Sequence, residues 1–67
     1  MEIKITTEYI TLGQFLKITD WISTGGEAKF AVKMLPITVN GEAENRRGRK
    51  LYPHDIVTVK DHRYEVK

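Results

Sequence analysis

Hydrophobic positions along this chain change period twice, from alternation to helical spacing and back, and turn-forming residues mark each change. Glu2 to Thr6 alternates with Ile3 and Ile5 on one side, which predicts a half-buried opening strand. Leu12, Phe15, Leu16 and Thr19 then fall at i, i+3, i+4 and i+7, predicting a helix whose apolar stripe is Leu12, Phe15 and Leu16, with Lys17 off the stripe. Thr11 and Gln14 have the spacing of a capping box, where the hydroxyl accepts from a free helical N–H and the amide reaches back, so the helix should begin there. A second box, Thr24 with Glu27, predicts a second helix over about residues 25 to 35, with Gly25 and Gly26 at its sharp entry. Ala28, Ala31, Val32 and Leu35 occupy its buried spacing, and Pro36 stops it by its missing N–H.

Alternation returns after Pro36. Ile37 to Val39 predicts a strand, and Asn40-Gly41 supplies the two positive-φ positions of a two-residue hairpin, with Glu42 to Glu44 as a short returning strand. Pro53-His54-Asp55 predicts a turn, and Ile56 to Lys60 and Arg63 to Val66 predict two more strands joined at Asp61-His62. The predicted order is β-α-α-β-β-β-β, an α+β fold.

Composition narrows this to one small domain over residues 1–67, with 40% hydrophobic residues and a core that must stabilise the chain by packing. The absence of cysteine removes disulfides and thiolate metal sites, as is usual for a reducing compartment. No stretch approaches the roughly 18 apolar residues that span a bilayer, and no basic segment precedes an apolar run at the N-terminus. The expectation is a soluble, cytoplasmic protein with no membrane association.

Charge then redirects attention to the middle of the chain. Net charge is +2, but residues 1–28 hold two cations against four anions, residues 29–52 six against two, and residues 53–67 three of each. Arg46, Arg47, Arg49 and Lys50 crowd around Gly48, a density that attracts phosphate, although a solvated loop would have the same composition. Lys29 and Lys33 lie four apart on the second helix, where like charges repel by roughly 0.2–0.5 kcal/mol unless an anion sits between them. Arginine grips two phosphate oxygens with a planar fork and lysine acts as a point charge, so the mixture suits a shaped nucleic-acid backbone. Gly48 is expected to permit close approach or positive φ, and Asn40 either to donate to a sugar or phosphate or simply to form the turn.

Other chemistry finds less support. Trp21 and Tyr52 are expected at the core or its margin in preference to stacking on bases. His54 and His62 lack partner ligands for a metal, Ser23 lacks a linked base, and Gly25-Gly26 lacks the spacing of a phosphate or dinucleotide loop. Glu42 and Glu44 are expected to balance the arginines, not to form a catalytic pair. A β-grasp carrier would be of similar size but generally ends in Gly-Gly, whereas this chain ends Glu65-Val66-Lys67. Neither an enzyme nor a cofactor is expected.

Phe15-Leu16, Thr24 to Lys29, Val39-Asn40-Gly41 and Pro53-His54-Asp55-Ile56-Val57 together resemble the S-four RNA-binding domain, named after ribosomal small-subunit protein four. The resemblance covers about residues 11–59 and is strongest to small stand-alone members of the YaaA type. It implies two helices packed on a small bent, mostly antiparallel sheet of four to five strands, the alpha-L motif, with helix two and the adjoining turn contacting structured RNA. The matching residues are Lys29, Lys33, Asn40 and the basic loop Arg46, Arg47, Arg49 and Lys50. Arginines common at the two helix entries are replaced by Thr11 or Leu12 and by Gly25, and the usual Gly-Arg before the strand by Leu35-Pro36, which shifts the expected contact toward the loop. The expectation is a monomeric, non-catalytic domain binding structured RNA, ribosomal or transfer RNA, with DNA or a protein partner as the alternative.

Overall fold

The computed structural model describes residues 1–67 as an α+β domain in which two short helices cover one face of a five-stranded sheet. The strands are β1 (Glu2–Ile3), β2 (Ile10–Thr11), β3 (Ile37–Val39), β4 (Glu42–Ala43), β5 (Lys50–Leu51), β6 (Ile56–Val59) and β7 (His62–Val66). The helices are α1 (Leu12–Ile18) and α2 (Ala28–Met34), the latter entered through a 3-10 turn at Gly25–Glu27. The main sheet has the order β1-β7-β6-β3-β4, antiparallel except where β1 runs parallel to β7, and β2 pairs with β5 in a separate antiparallel ribbon. No helix is long and apolar enough to cross a membrane.

Both capping boxes form. Thr11 Oγ1 accepts from Gln14 N at 3.2 Å while Gln14 Oε1 accepts from Thr11 N at 2.8 Å, which fixes the start of α1. Glu27 Oε1 likewise accepts from Thr24 N at 3.0 Å, and the second box caps the 3-10 turn that leads into α2. The predicted stripe Leu12, Phe15 and Leu16 is fully buried, and Ala28 and Val32 of α2 join it against Ile37, Val39, Val57, Val59, Tyr64 and Val66 of the sheet. Phe15 meets Tyr64 edge-on, ring centroids 5.1 Å apart.

The hairpin at Asn40-Gly41 follows its sequence signature, with φ of 53° and 86°. Its asparagine side chain also reaches across the sheet. Asn40 Oδ1 accepts from Ile56 N at 2.9 Å and Nδ2 donates to Asp55 Oδ1 at 3.1 Å, while Asp55 Oδ2 accepts from Tyr52 N at 2.8 Å. The Val-Asn-Gly turn and the Pro-His-Asp turn therefore lock each other.

Four sequence expectations need correction. β1 is shorter than Glu2 to Thr6, although Ile5 N still donates to Lys67 O at 3.0 Å where the pairing with β7 runs out. The last hairpin turns at Lys60-Asp61 instead of Asp61-His62, with Lys60 at φ 53°. β2 and β5 were invisible to periodicity because each is two residues long. Tyr52, expected at the core margin, is exposed, and Tyr64 is the buried tyrosine. Trp21 does sit at the margin, its Nε1 donating to Tyr64 Oη at 3.0 Å.

Candidate nucleic-acid interface

Arg46 to Lys50 follows the short strand β4 and has only one turn of its own before β5, Arg49 N donating to Arg46 O at 3.1 Å, so its path depends also on what holds it from outside. Two anchors do so. The first is Glu44, whose side chain is only 5% exposed. It accepts from Arg46 Nε at 2.9 Å, Arg46 Nη2 at 3.1 Å, Arg49 Nη1 at 2.8 Å and the backbone N–H groups of Asn45 and Arg46. The hydrogen bond from the Arg46 side chain outweighs burial, and with Arg49 and the Arg46 backbone it lowers the Glu44 pKa to about 2. Glu44 does balance the arginines, as expected; Glu42 is exposed and makes no ion pair.

The second anchor is the start of α1. Leu12 N donates to Arg49 O at 2.8 Å and Gly13 N to Arg47 O at 2.9 Å, so helical N–H groups that lack intrahelical partners are met by the loop. Gly13 permits this approach, since a Cβ there would meet Ala28 Cβ at 3.2 Å and Arg47 O at 3.4 Å. Three segments thus converge on one glycine. Gly48, by contrast, has open space around a Cβ position and no positive φ, so neither reason expected for it operates within the chain.

These anchors divide the cations into two kinds. Arg46 and Arg49 spend hydrogen bonds on Glu44, whereas Arg47 and Lys50 form no ion pair. Arg47 and Gly48 line a groove with Lys17, Gln14 and Gly25. Lys33 and Lys60 line a second groove, beside Asn45 at the other end of the loop. Lys29 Nζ lies 5.1 Å from the Phe30 ring centroid, on a stretch of α2 where Phe30 and Met34 are exposed. Asn40 has most of its amide committed to Asp55 and Ile56.

Sequence reasoning did not select Lys17 or Lys60. A signal for Lys17 was present, because Thr11, Gln14 and Lys17 recur every three residues along the exposed side of α1. Lys60 carried none, since only strand pairing brings it to the second groove. No group of three or more His, Asp or Glu side chains is placed to hold a metal ion.

Comparison with known proteins agrees with this architecture. One relative, the probable ribosome maturation protein RlbA of Bacillus subtilis (strain 168), is 54% identical over 57 residues, which cover 85% of this chain and 80% of that protein. The S4 domain model matches residues 3–67, nearly the full length. The capped helix pair, the interlocked turns and this match together place the chain in the S4 domain family.

Proposed function

We propose that this domain is a non-catalytic RNA-binding protein that grips the backbone of structured RNA along the grooves flanking its basic loop. The observation that carries the reading is the anchoring of the loop. Hydrogen bonds from Leu12 and Gly13 hold its backbone against α1 and set the unpaired Arg47 in one groove with Lys17. Lys33 and Lys60 continue the positive rim at the loop's far end, and Lys29 extends it along α2. Because the first N–H groups of α1 are occupied by loop carbonyls and by Thr11, phosphate binding rests on side chains and not on a helix end.

Several cations held on a rigid frame suit a backbone of fixed shape, and A-form RNA is read chiefly through shape and backbone. The likeness to a probable ribosome maturation protein supports ribosomal RNA as the target class and ribosome maturation as the setting. Arg46 and Arg49 contribute charge while positioning the loop, Lys50 adds a cation at its exit, and Asn40 contributes mainly by fixing the neighbouring turn.

The test is a salt titration of binding to a blunt RNA stem-loop and to a DNA duplex of equal length, using wild type and a Lys17→Ala, Arg47→Ala double variant. Removing the Arg46 and Arg49 side chains would strip Glu44 of both its ion pairs and confuse binding with folding, so those positions are left intact. The expected result is tighter RNA binding, with log affinity falling by roughly 0.7–0.9 per phosphate contact per log unit of salt, and a shallower slope in the variant. Equal binding by the variant, or preference for DNA, would overturn the reading and favour a DNA or protein partner.

A further inference from the structure

The ribbon formed by β2 and β5 carries residues that backbone gripping does not use. Its register pairs Ile10 with Leu51 and Thr11 with Lys50, so Tyr9 and Tyr52 occupy the next facing positions. Strand alternation sends Ile10 and Leu51 into the core and leaves Tyr9, Tyr52, Thr11 and Lys50 on the outer side. The two rings lie 5.7 Å apart at 48°, and the residues are 37% and 43% exposed. Lys50 Nζ stands 4.9 Å from the Tyr9 ring centroid, a diagonal cross-strand contact.

We infer that this outer face is a stacking site for an unpaired nucleobase of the RNA whose backbone the basic loop holds, an inference that rests on the function proposed above. Lys50 joins the loop directly to the tyrosines, so a strand following Arg47 and Arg49 would bring its next nucleotide onto the rings. The groove beside Tyr9 is lined by Lys4 and Lys17 as well as Gln14, with Glu8 its one acid, which matches a polyanion that carries flat bases. The platform is held in place. Thr7 Oγ1 donates to Tyr9 O at 2.8 Å, and Tyr52 is clamped by Asp55 at both its N–H and its carbonyl. Aromatic rings beside cations accept any base through its π-face, and a backbone already fixed beneath them loses little entropy on binding.

The experiment compares two RNA hairpins with the same stem, one blunt and one with a four-nucleotide single-stranded tail containing 2-aminopurine. Wild type should bind the tailed hairpin about tenfold more tightly, the scale of one stacked base, and should quench the 2-aminopurine fluorescence. A Tyr9→Leu, Tyr52→Leu variant should lose that advantage and the quenching while binding the blunt hairpin as wild type does, and the Tyr9→Phe, Tyr52→Phe variant should keep both. If the leucine pair loses its folded signal, Tyr52→Thr at the more exposed ring gives the same reading. A tail that adds nothing in wild type, or an advantage that survives the leucine or threonine change, overturns the stacking site. Tyrosine-dependent binding of the tailed hairpin without any binding of the blunt one overturns the backbone reading alone, and absence of binding to either overturns both.

Discussion

The Asn40-Gly41 turn and the basic loop that follows it are held by opposite means. The turn is specified by two adjacent residues that tolerate positive φ, and the Asn40 side chain adds a tie to Asp55 and Ile56. The loop closes one turn of its own, Arg49 N donating to Arg46 O at 3.1 Å, but neither central residue of that turn takes a positive φ. It takes its shape from a buried carboxylate at its start and from the N–H groups of a helix far away in sequence. A hairpin turn needs to be stiff, because it sets strand register, whereas a binding loop must both hold a path and keep charges free for a partner. In this chain Arg46 and Arg49 satisfy Glu44 and Arg47 is left unpaired, the division that the proposed RNA contact requires.

The comparison can be broken most strongly at Glu44. Glu44→Gln leaves an amide where five hydrogen bonds ended on a buried carboxylate, and should lower stability by about 1–3 kcal/mol in chemical denaturation at neutral pH. The same contact fixes a pH dependence. A carboxylate whose folded pKa is lowered to about 2, from an ordinary value near 4.5, contributes stability that is complete above about pH 5 and is lost as pH falls toward 2. Wild type should therefore lose stability across that acidic window, and Glu44→Gln should lose measurably less. An equal acid loss in both proteins would remove Glu44 from the account.

Breaking the turn should leave the loop intact. Gly41→Val forces a β-branched residue to φ 86° and should cost about 1–3 kcal/mol in stability, while the folded fraction binds RNA with unchanged affinity per molecule. A change in intrinsic affinity would show that turn and loop are coupled more tightly than their separate anchors imply.

Within the loop, Arg47→Ala sharpens the division between tethered and free cations. It should leave the thermal midpoint unchanged and reduce the magnitude of the salt slope of RNA binding by roughly 0.7–0.9, whereas Arg46→Ala should change both the midpoint and the affinity. The smallest effect is expected at the helix that the loop leans on. Thr11→Ala removes the Oγ1 acceptor for Gln14 N and should cost about 1 kcal/mol, read as a lower denaturation midpoint with a matching small loss of RNA affinity.

Several elements were legible because their signals are local. Both capping boxes, the Leu12-Phe15-Leu16 stripe, the Asn40-Gly41 hairpin and the proline stop at Pro36 each follow from residues within one turn of one another. The family resemblance drew on the same pieces, and the match over residues 3–67 agrees with it. Less legible were β2 and β5, too short to show a period, and the last turn, where Lys60 takes the positive φ although the turn-forming residues Asp61-His62 follow it. Among the candidate site residues, composition singled out the basic loop but gave all four of its cations the same weight.

The sequence by itself determined an α+β fold with two capped helices, a tight hairpin and a concentration of positive charge after it. Those properties depend on spacing, conformational preference and composition, which act between near neighbours. Tertiary structure alone decided which charges are free, because Glu44 had to be buried beside Arg46 and Arg49 before it could hold them. It also decided that Lys17 and Arg47 line one groove and that Tyr9 meets Tyr52. Those pairings join residues distant in the chain, and only the packing of the loop against α1 and the register of a two-residue ribbon bring them together.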